Sequence, residues 1–510
     1  MPCQQRNSGD ENDGSRTRQR HQRYADGDKR PAEDKRPGVA KSFAQSRVLA
    51  HGEYHASNGK YGLAEVAGRR LTEIVNKANQ LLKLVEDTLN VKLPIRLRAW
   101  DGSEAGVDGA PVIVITNKRA LRHIIWKPGE LGVARAYVQG DIDIEGDLAE
   151  GLRIVGAAVR KAREVDPDAA RPRIGIRHLA KGALLAVRMG AIGKRPPAPA
   201  AESHLSGELH TRERDRAAIS HHYDLSNDFY KLILDPHMAY SSGFHHREGM
   251  TLEEAQTAKL ELICRKLDLK PGMRMLDIGS GWGSLTLHAA EHYGVYVTAV
   301  TLSSEQRDFV MKRASERGFG GRVDVSLRHF RDLGEAGVHA GQIDAVASIE
   351  MGEHVGDKEY VVFCDAIYRY LRPGGRALIQ QMSRSNDAKG DQPGGGPFIE
   401  TYIAPDMHMK PLAKTIGLIA DAGLEIRDVQ AMREHYPQTV AGWARNLEES
   451  WQTAIALVGE ENARVWRLYL AGGSLAFEEN RMGVDQILAV KPSKTGLSDM
   501  PTSPLAWLAS

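Results

Sequence analysis

The stretch Arg274–Gly283, RMLDIGSGWG, constrains the fold more than any other part of the chain. Met275, Leu276 and Ile278 read as a buried strand, Gly279, Gly281 and Gly283 as a glycine turn, and Ser284 to Tyr293 as the following helix. Glycines at alternate positions let the backbone approach a ligand at the carboxyl end of a parallel strand, where open α/β sheets bind their ligands. Asp277 stands just before the first glycine, and a second strand, Val295 to Thr301, comes one helix later. A lone G-x-G also suits an ordinary strand-to-helix turn. However, there is no third glycine at dinucleotide spacing and no Lys-Ser/Thr pair after the loop, so a Rossmann dehydrogenase and a P-loop NTPase are both disfavoured. The pattern points to an S-adenosylmethionine site.

The segments around this stretch alternate in the same manner. Strands are expected at Arg274 to Gly279, Val295 to Thr301, Val323 to Leu327, Ile343 to Ile349, Arg376 to Met382, Leu424 to Gln430 and Gln486 to Val490. Helices fall between them, among them Ser304 to Gly318, Lys358 to Leu371 and Lys410 to Ala422. Such alternation predicts a doubly wound α/β sheet, here with a late reversed strand. A long helical insert, Thr439 to Glu479, separates the last two strands. Its Trp443, Trp451 and Trp466 are read chiefly as core, and the insert as a cover for a substrate cleft.

Upstream the character changes. Residues 1–43 are polar and charged with few large aliphatics, a composition expected to stay disordered. From Gly62 to Leu89 apolar residues recur at helical spacing. Short β-like runs follow at Pro94 to Trp100 and Val112 to Ile115, joined by the turn-rich DGSEAGVDGA, then helices near Arg119 to Ile125 and Glu130 to Val138. Residues 62–165 therefore read as a small separate α+β domain. Asp141, Asp143, Glu145 and Asp147 do not match an EF-hand loop and read as a solvated acidic turn. Residues 166–215 form a basic amphipathic helix and linker, in which Arg171, Arg173, Arg177, Lys181, Arg188, Lys194 and Arg195 alternate with aliphatics. That pattern suits either a membrane surface or a solvated helix packed on the next domain. KRPPAPAA ends it as a domain boundary, the larger domain occupies 216–492, and 493–510 is a tail.

Net charge is +2 over 510 residues, and the lone basic stretch has few aromatics for base stacking, which argues against a nucleic-acid partner. The three cysteines show no paired metal spacing, so no metal site is expected, and they suit a reducing compartment. No apolar run is long enough to span a bilayer. A cytoplasmic protein, peripherally associated with the inner face of the membrane, is the expectation.

Six motifs occur in order: HYDLSND at His222, DPHMAYS at Asp235, LDIGSGWG, TLSSEQ at Thr301, EHVG at Glu353 and LRPGG at Leu371. Together they resemble the cyclopropane-fatty-acid synthase family of S-adenosylmethionine-dependent methyltransferases, over about Ala218 to Pro492. ARAYVQGDIDIEGD also looks like the N-terminal domain of the bacterial phospholipid-acting members. The resemblance implies a class I, Rossmann-like methyltransferase fold with a seven-stranded, mostly parallel sheet. It implies a cofactor site built from Tyr240, Ser241, Asp277, Gly279, Gly281, Gly283, Thr301, Leu302, Ser303, Gln306, Phe330 and Arg331. Gln306 would take the ribose role and Phe330 would stack on adenine. Ser303 and Gln306 equally suit a helix capping box. HYDLSND, with Tyr223, Asp224 and Asn227, would fold over the cofactor as a lid.

In the ring-forming relatives a bound bicarbonate serves as base. Its Glu matches Glu353, its Tyr matches Tyr436, its backbone group Met382, while Ser242 and Gln380 stand where those relatives have Cys and His. A further cysteine of some relatives falls on Gly473. Glu353, Tyr436, Ser242 and Gln380 are thus the catalytic candidates. Gln380 cannot take up a proton as His would. A cation that survives longer would shift hydride and lose a proton to give a methylene branch. The stretches ETYIAPDMHMKP and WRLYLAGGSLAFEENRMGVDQIL look similar to the family branch that does this to oleoyl chains, whose product a separate flavin-dependent reductase saturates. The expected substrate is the double bond of an unsaturated acyl chain in a membrane phospholipid, the expected product a methylene branch, with ring formation the alternative. A soluble amine substrate and a non-catalytic lipid-binding role stay open, as does a homodimer.

Overall fold

The computed structural model describes residues 76–166, 176–203, 211, 214, 226–384 and 395–503. The expected tail at 1–43, the start of the first predicted helix, Arg171 and Arg173, and Tyr223 and Asp224 of the expected lid lie outside the described residues.

The large sheet contains β5 (Arg274–Ile278), β6 (Tyr296–Thr301), β7 (Val323–Leu327), β8 (Ile343–Ile349), β9 (Leu371–Arg384), β10 (Glu425–Ala431) and β11 (Met482–Val490). Their order is β10-β11-β9-β8-β5-β6-β7. β5 to β9 run parallel to one another, whereas β11 is antiparallel to both β9 and β10. The chain first builds outward from β5 through β6 to β7, then returns to place β8 on the other side of β5. This reversal opens a crevice at the carboxyl ends of β5 and β8. The central strands are apolar because both faces are covered. One face packs on Leu260, Ile263, Leu285 and Val310, the other on Phe363, Ile367 and Ile419.

Each predicted strand of this sheet is present. β9 starts earlier than the expected Arg376, since Leu371 of LRPGG already pairs with β8. The insert forms two helices, His435–Glu449 and Trp451–Glu478, the second kinked at Gly459 where φ is +79°. Trp443 and Trp466 are buried with Phe229, Tyr230 and Trp282 in an aromatic core above the sheet.

The small sheet is β1 (Arg96–Arg98), β2 (Glu104–Gly106), β3 (Val112–Ile115) and β4 (Ile142–Glu145), in the order β2-β1-β3-β4. β2 lies within DGSEAGVDGA, a stretch rich enough in turn residues to hide a strand. The acidic stretch is a solvated turn only at its end, where Glu145 and Asp147 are exposed. Asp141 is buried and paired with Arg119 at 2.6 Å, Asp143 faces Arg464, and Asp147 caps the helix Leu148–Val165 by accepting from the Glu150 amide.

The small sheet is fastened to the late insert. Arg464, buried, donates from Nε to the Tyr137 carbonyl at 2.7 Å and from Nη2 to the Ile142 carbonyl at 2.9 Å. Arg153 forks onto Glu478 at 3.0 and 3.2 Å. Arg135 forks onto Glu202, which also accepts from Tyr402 at 2.8 Å. Among the described residues no helix is long and apolar enough to cross a membrane.

Candidate active site

The crevice between β5 and β8 holds a cavity lined from four strand ends: Asp277 to Trp282 with Ser284 and Leu285 at the end of β5, Val300 to Leu302 with Gln306 at the end of β6, Arg328 to Arg331 after β7, and Ile349 to Met351 at the end of β8. Every cofactor candidate except Gly283 and Ser303 lines it, including Tyr240 and Ser241 from the loop ahead of the sheet.

The glycine turn has two steric reasons for its composition. At Gly279, φ is +85° and an added Cβ would lie 2.6 Å from Met351 Cγ. At Gly283, φ is +78° and the Cβ would meet Val310 Cγ2 at 2.7 Å. Gly281, also left-handed, has no atom near its Cβ direction. The Gly279 and Ser280 amides are spent on the Val300 carbonyl. Ser280 Oγ is buried without a hydrogen-bond partner at the cavity wall, as a polar group waiting for a ligand would be. Asp277 accepts from Thr286 at 2.6 Å, and burial raises its pKa to about 6.

After β6, Ser303 caps the helix Ser304–Glu316 by accepting from the Gln306 amide. The reciprocal half of a capping box is absent. Gln306 Oε1 instead accepts from Thr301 Oγ1 at 2.7 Å, and the Ser303 amide donates to that same hydroxyl. Gln306 is therefore fixed by its carbonyl, with its amide donors at the cavity wall. After β7, Phe330 stands edge-to-face on Phe363, and Arg331 lies over Phe330 while bonding Glu359 at 2.6 Å. Arg331 Nε is buried and unpartnered. Asn227, from the one described end of the expected lid, accepts from Trp282 Nε1 of the glycine turn at 2.8 Å.

Tyr240 and Ser241 are held from behind. The Tyr240 hydroxyl donates to Tyr469 at 3.0 Å, and its ring tilts over Trp443 and Trp466. Ser241 Oγ accepts from Lys259 at 2.7 Å. Lys259 is fully buried, and desolvation lowers its pKa to about 8 against the pull of Glu350, Asp235 and Asp277.

Three of the four catalytic candidates come together, around a residue with no motif of its own, Glu350. Tyr436 donates to its Oε2 at 2.6 Å, while the Ser242 amide and Gln380 Nε2 both donate to its Oε1 at 2.8 Å. Ser242 contributes its backbone, since its hydroxyl is turned to the Gly243 carbonyl. Gln380 is held in that orientation by Gln486, which donates to its carbonyl at 2.9 Å. Glu353 stands apart. Its Oε1 accepts from the Met382 amide at 2.5 Å, and its Oε2 is buried without a partner. Glu350 lines the cavity, whereas Glu353 does not. Burial pushes both carboxyls upward, and the neighbouring Glu350 adds to the rise of Glu353, to about 8. Three donors favour the ionised form of Glu350 against its burial, whereas Glu353 has a single backbone donor. Gly473 touches only the Tyr469 ring, 4.0 Å from its Cβ direction. Among the described residues no group of His, Cys, Asp and Glu is placed to hold a metal.

Comparison with known proteins agrees with this geometry. Residues 210–487 match the model of the mycolic acid cyclopropane synthetase family. A probable fatty acid methyltransferase of Pseudomonas putida is 34% identical over 81% of this chain and 95% of its own length. The cyclopropane-fatty-acyl-phospholipid synthase of Escherichia coli K12 is 33% identical over 57% of this chain and 72% of its own. The tuberculostearic acid methyltransferase UfaA1 of Mycobacterium tuberculosis is 29% identical over 80% of this chain and 90% of its own.

Proposed function

The chain belongs to the mycolic acid cyclopropane synthetase family, and on that premise we propose that it methylates the double bond of an unsaturated acyl chain in a membrane phospholipid, giving a methylene-branched chain. S-adenosylmethionine is the methyl donor. The observation that carries the reading is the cavity at the sheet's switch point, with the glycine turn at one side and a hydrogen-bonded, buried carboxylate at the other.

The residues present fit the cofactor. Ser280 Oγ and Arg331 Nε are buried donors without partners, and Gln306 presents its amide to the cavity. Gly279 to Gly283 would lie along the methionine part, Gln306 at the ribose and Phe330 against the adenine. When bound, the sulfonium supplies an electrophilic methyl group. Tyr240, Trp282 and Met238 form an apolar wall that excludes water from that centre. An isolated double bond is a weak nucleophile, so this wall and the aromatic cluster behind it would align the chain and shelter the cation that follows.

Delivery of the lipid would fall to the small domain and the helix Ile176–Arg188. Lys181, Leu184, Val187 and Arg188 of that helix are exposed, as are Ile192, Lys194 and Arg195 beyond it. Aliphatics and bases on one exposed stretch suit an anionic bilayer surface, each base contributing on the order of 1 kcal/mol. A methylene branch is favoured over a ring because Gln380, held by Gln486, cannot take up a proton as a histidine in its place would. A separate flavin-dependent reductase would then saturate the branch.

The test is expression in a host with oleoyl phospholipids, followed by gas chromatography–mass spectrometry of the fatty acid methyl esters. A gain of one CH2 in a chain that still takes up hydrogen is the expected result. The same gain resistant to mild hydrogenation means a ring, and no gain with S-adenosylmethionine bound rules out this substrate class.

A further inference from the structure

Glu350 is the residue that the family resemblance left without a role. It follows the last residue of β8 and turns sharply out of the sheet, with φ at +51°. A side chain with a Cβ pays roughly 1–2 kcal/mol to stand in the left-handed region. Strain of this kind persists where the surroundings over-determine it, and at a cavity wall it points to use. The backbone is pinned by its amide, which donates to the Gln380 carbonyl at 2.6 Å. The carboxylate is pinned by donors from three separate elements: Ser242 from the loop ahead of the sheet, Gln380 from β9 and Tyr436 from the insert.

The groups around it set its charge. Lys259 is the ammonium that faces it, and Tyr436, Tyr469 and Glu353 are its other titratable neighbours. Both tyrosines stay protonated because burial raises their pKa. Glu353 has one backbone donor and a bare Oε2, against three donors on Glu350. Three donors and the Lys259 ammonium thus favour the ionised form of Glu350 against its burial, at the wall of a site whose reaction must release a proton.

We propose that Glu350 is the catalytic base of this enzyme, accepting the proton that the substrate loses after methyl transfer. The inference rests on the acyl-chain methylation proposed above. The π electrons of the double bond form the new C–C bond to the methyl carbon. The methyl–sulfur bond breaks with its electron pair remaining on sulfur, and the second alkene carbon becomes cationic. For a methylene branch, the hydride on the methylated carbon first shifts to the cationic carbon, leaving the methylated carbon cationic. The new methyl group then gives a proton to the Glu350 carboxylate, and the C–H pair left behind becomes the methylene double bond. Without the shift, the same proton loss from the methyl group supplies the closing bond of a ring. One proton leaves per methyl transferred, and no soluble anion is needed to receive it.

The experiment uses the full-length protein, oleoyl phospholipid vesicles and S-adenosylmethionine in buffer stripped of carbon dioxide, with cofactor binding measured in parallel by calorimetry. Wild type is expected to run equally fast with and without added bicarbonate. Glu350→Gln is expected to bind cofactor as wild type does but to lose about 100-fold or more in rate. Glu350→Gly, which relieves the left-handed backbone and opens the site, is expected to regain about 10-fold on addition of formate or bicarbonate. The proposal is overturned if Glu350→Gln keeps the wild-type rate, or if wild type depends on bicarbonate. It is also overturned if Glu350→Gly gains nothing from either anion, which would make the residue structural. A wild type that binds cofactor yet methylates no lipid overturns the acyl-chain reading itself, a result visible before any variant is made.

Discussion

Tyr436 and Glu350, 86 residues apart in the chain, meet through a 2.6 Å hydrogen bond from phenol to carboxylate inside the protein core. Hydrogen bonds to a charged group contribute about 1.5–3 kcal/mol, so the phenol is a large part of what keeps Glu350 ionised. In Tyr436→Phe the Glu350 pKa should rise. If Glu350 acts as a base, the acid limb of the pH–rate profile should move to higher pH. At neutral pH the rate should fall by roughly 10- to 100-fold, from the same hydrogen-bond energy, and recover in part as pH is raised. A uniform loss with an unmoved limb would show that Tyr436 does not act through the carboxylate.

The two crowded glycines of the cofactor turn should differ in cost. Gly279→Ala meets the side chain of Met351, which is flexible, while Gly283→Ala meets Val310, which is β-branched and fully buried. Both carry a left-handed penalty of roughly 1 kcal/mol. Gly283→Ala should add about 1–3 kcal/mol of overpacking to that penalty. Thermal melts should therefore rank wild type, Gly279→Ala and Gly283→Ala in falling order, and cofactor titration should show weakened binding in both variants.

Two buried histidines should make the fold acid-sensitive. Burial lowers His245 and His288 from the ordinary 6.5 to about 4, and His288 is also bonded to Glu261 at 2.8 Å. Their folded pKa values lie below the unfolded one, so the native state binds fewer protons. The stability they support is present above pH 6.5 and is lost as pH falls from there toward 4. Urea midpoints measured between pH 7.5 and 5 should drop steadily. His288→Gln should flatten part of that slope.

Arg464 should behave as a clamp. Replacing it by Ala strips two buried carbonyls, those of Tyr137 and Ile142, of their donor and removes the cation lying over the Tyr137 ring. Removing one partner from such a buried charged network costs about 3–5 kcal/mol. Limited proteolysis of Arg464→Ala should cut near the small sheet first, at protease levels that leave wild type whole. Equal resistance in both proteins would mean that Arg153 and Arg135 hold the domain alone.

Much of the large domain is legible in one dimension because its strands are apolar on both faces and its helices end at clear turns. Val323–Leu327 and Ile343–Ile349 fall where the apolar runs place them. The cofactor half of the site follows from local chemistry: a glycine turn, a capped helix and an aromatic at the end of a strand. The proton-handling half does not, because it is assembled from Ser242, Glu350, Gln380 and Tyr436, which the chain brings together only on folding. Glu353 drew notice through EHVG, while Glu350 sits in SIEM with no motif of its own. A signal was nonetheless present. An acid at the carboxyl end of a central parallel strand stands where open sheets bind ligands. Its left-handed backbone has no sequence mark, as Glu is not a residue that favours it.

The bonds from Arg464 to Tyr137 and Ile142 span more than 320 residues of chain. Synthesis at about 5–20 residues per second puts tens of seconds between the two ends of that clamp leaving the ribosome. During this interval the small sheet has been made but its late anchor does not yet exist. Its docking is then among the last events of the protein's birth, and a chain stalled or cut before Arg464 would leave the small domain held to a sheet that still lacks β11 through the Arg135–Glu202–Tyr402 link, without its late clamp.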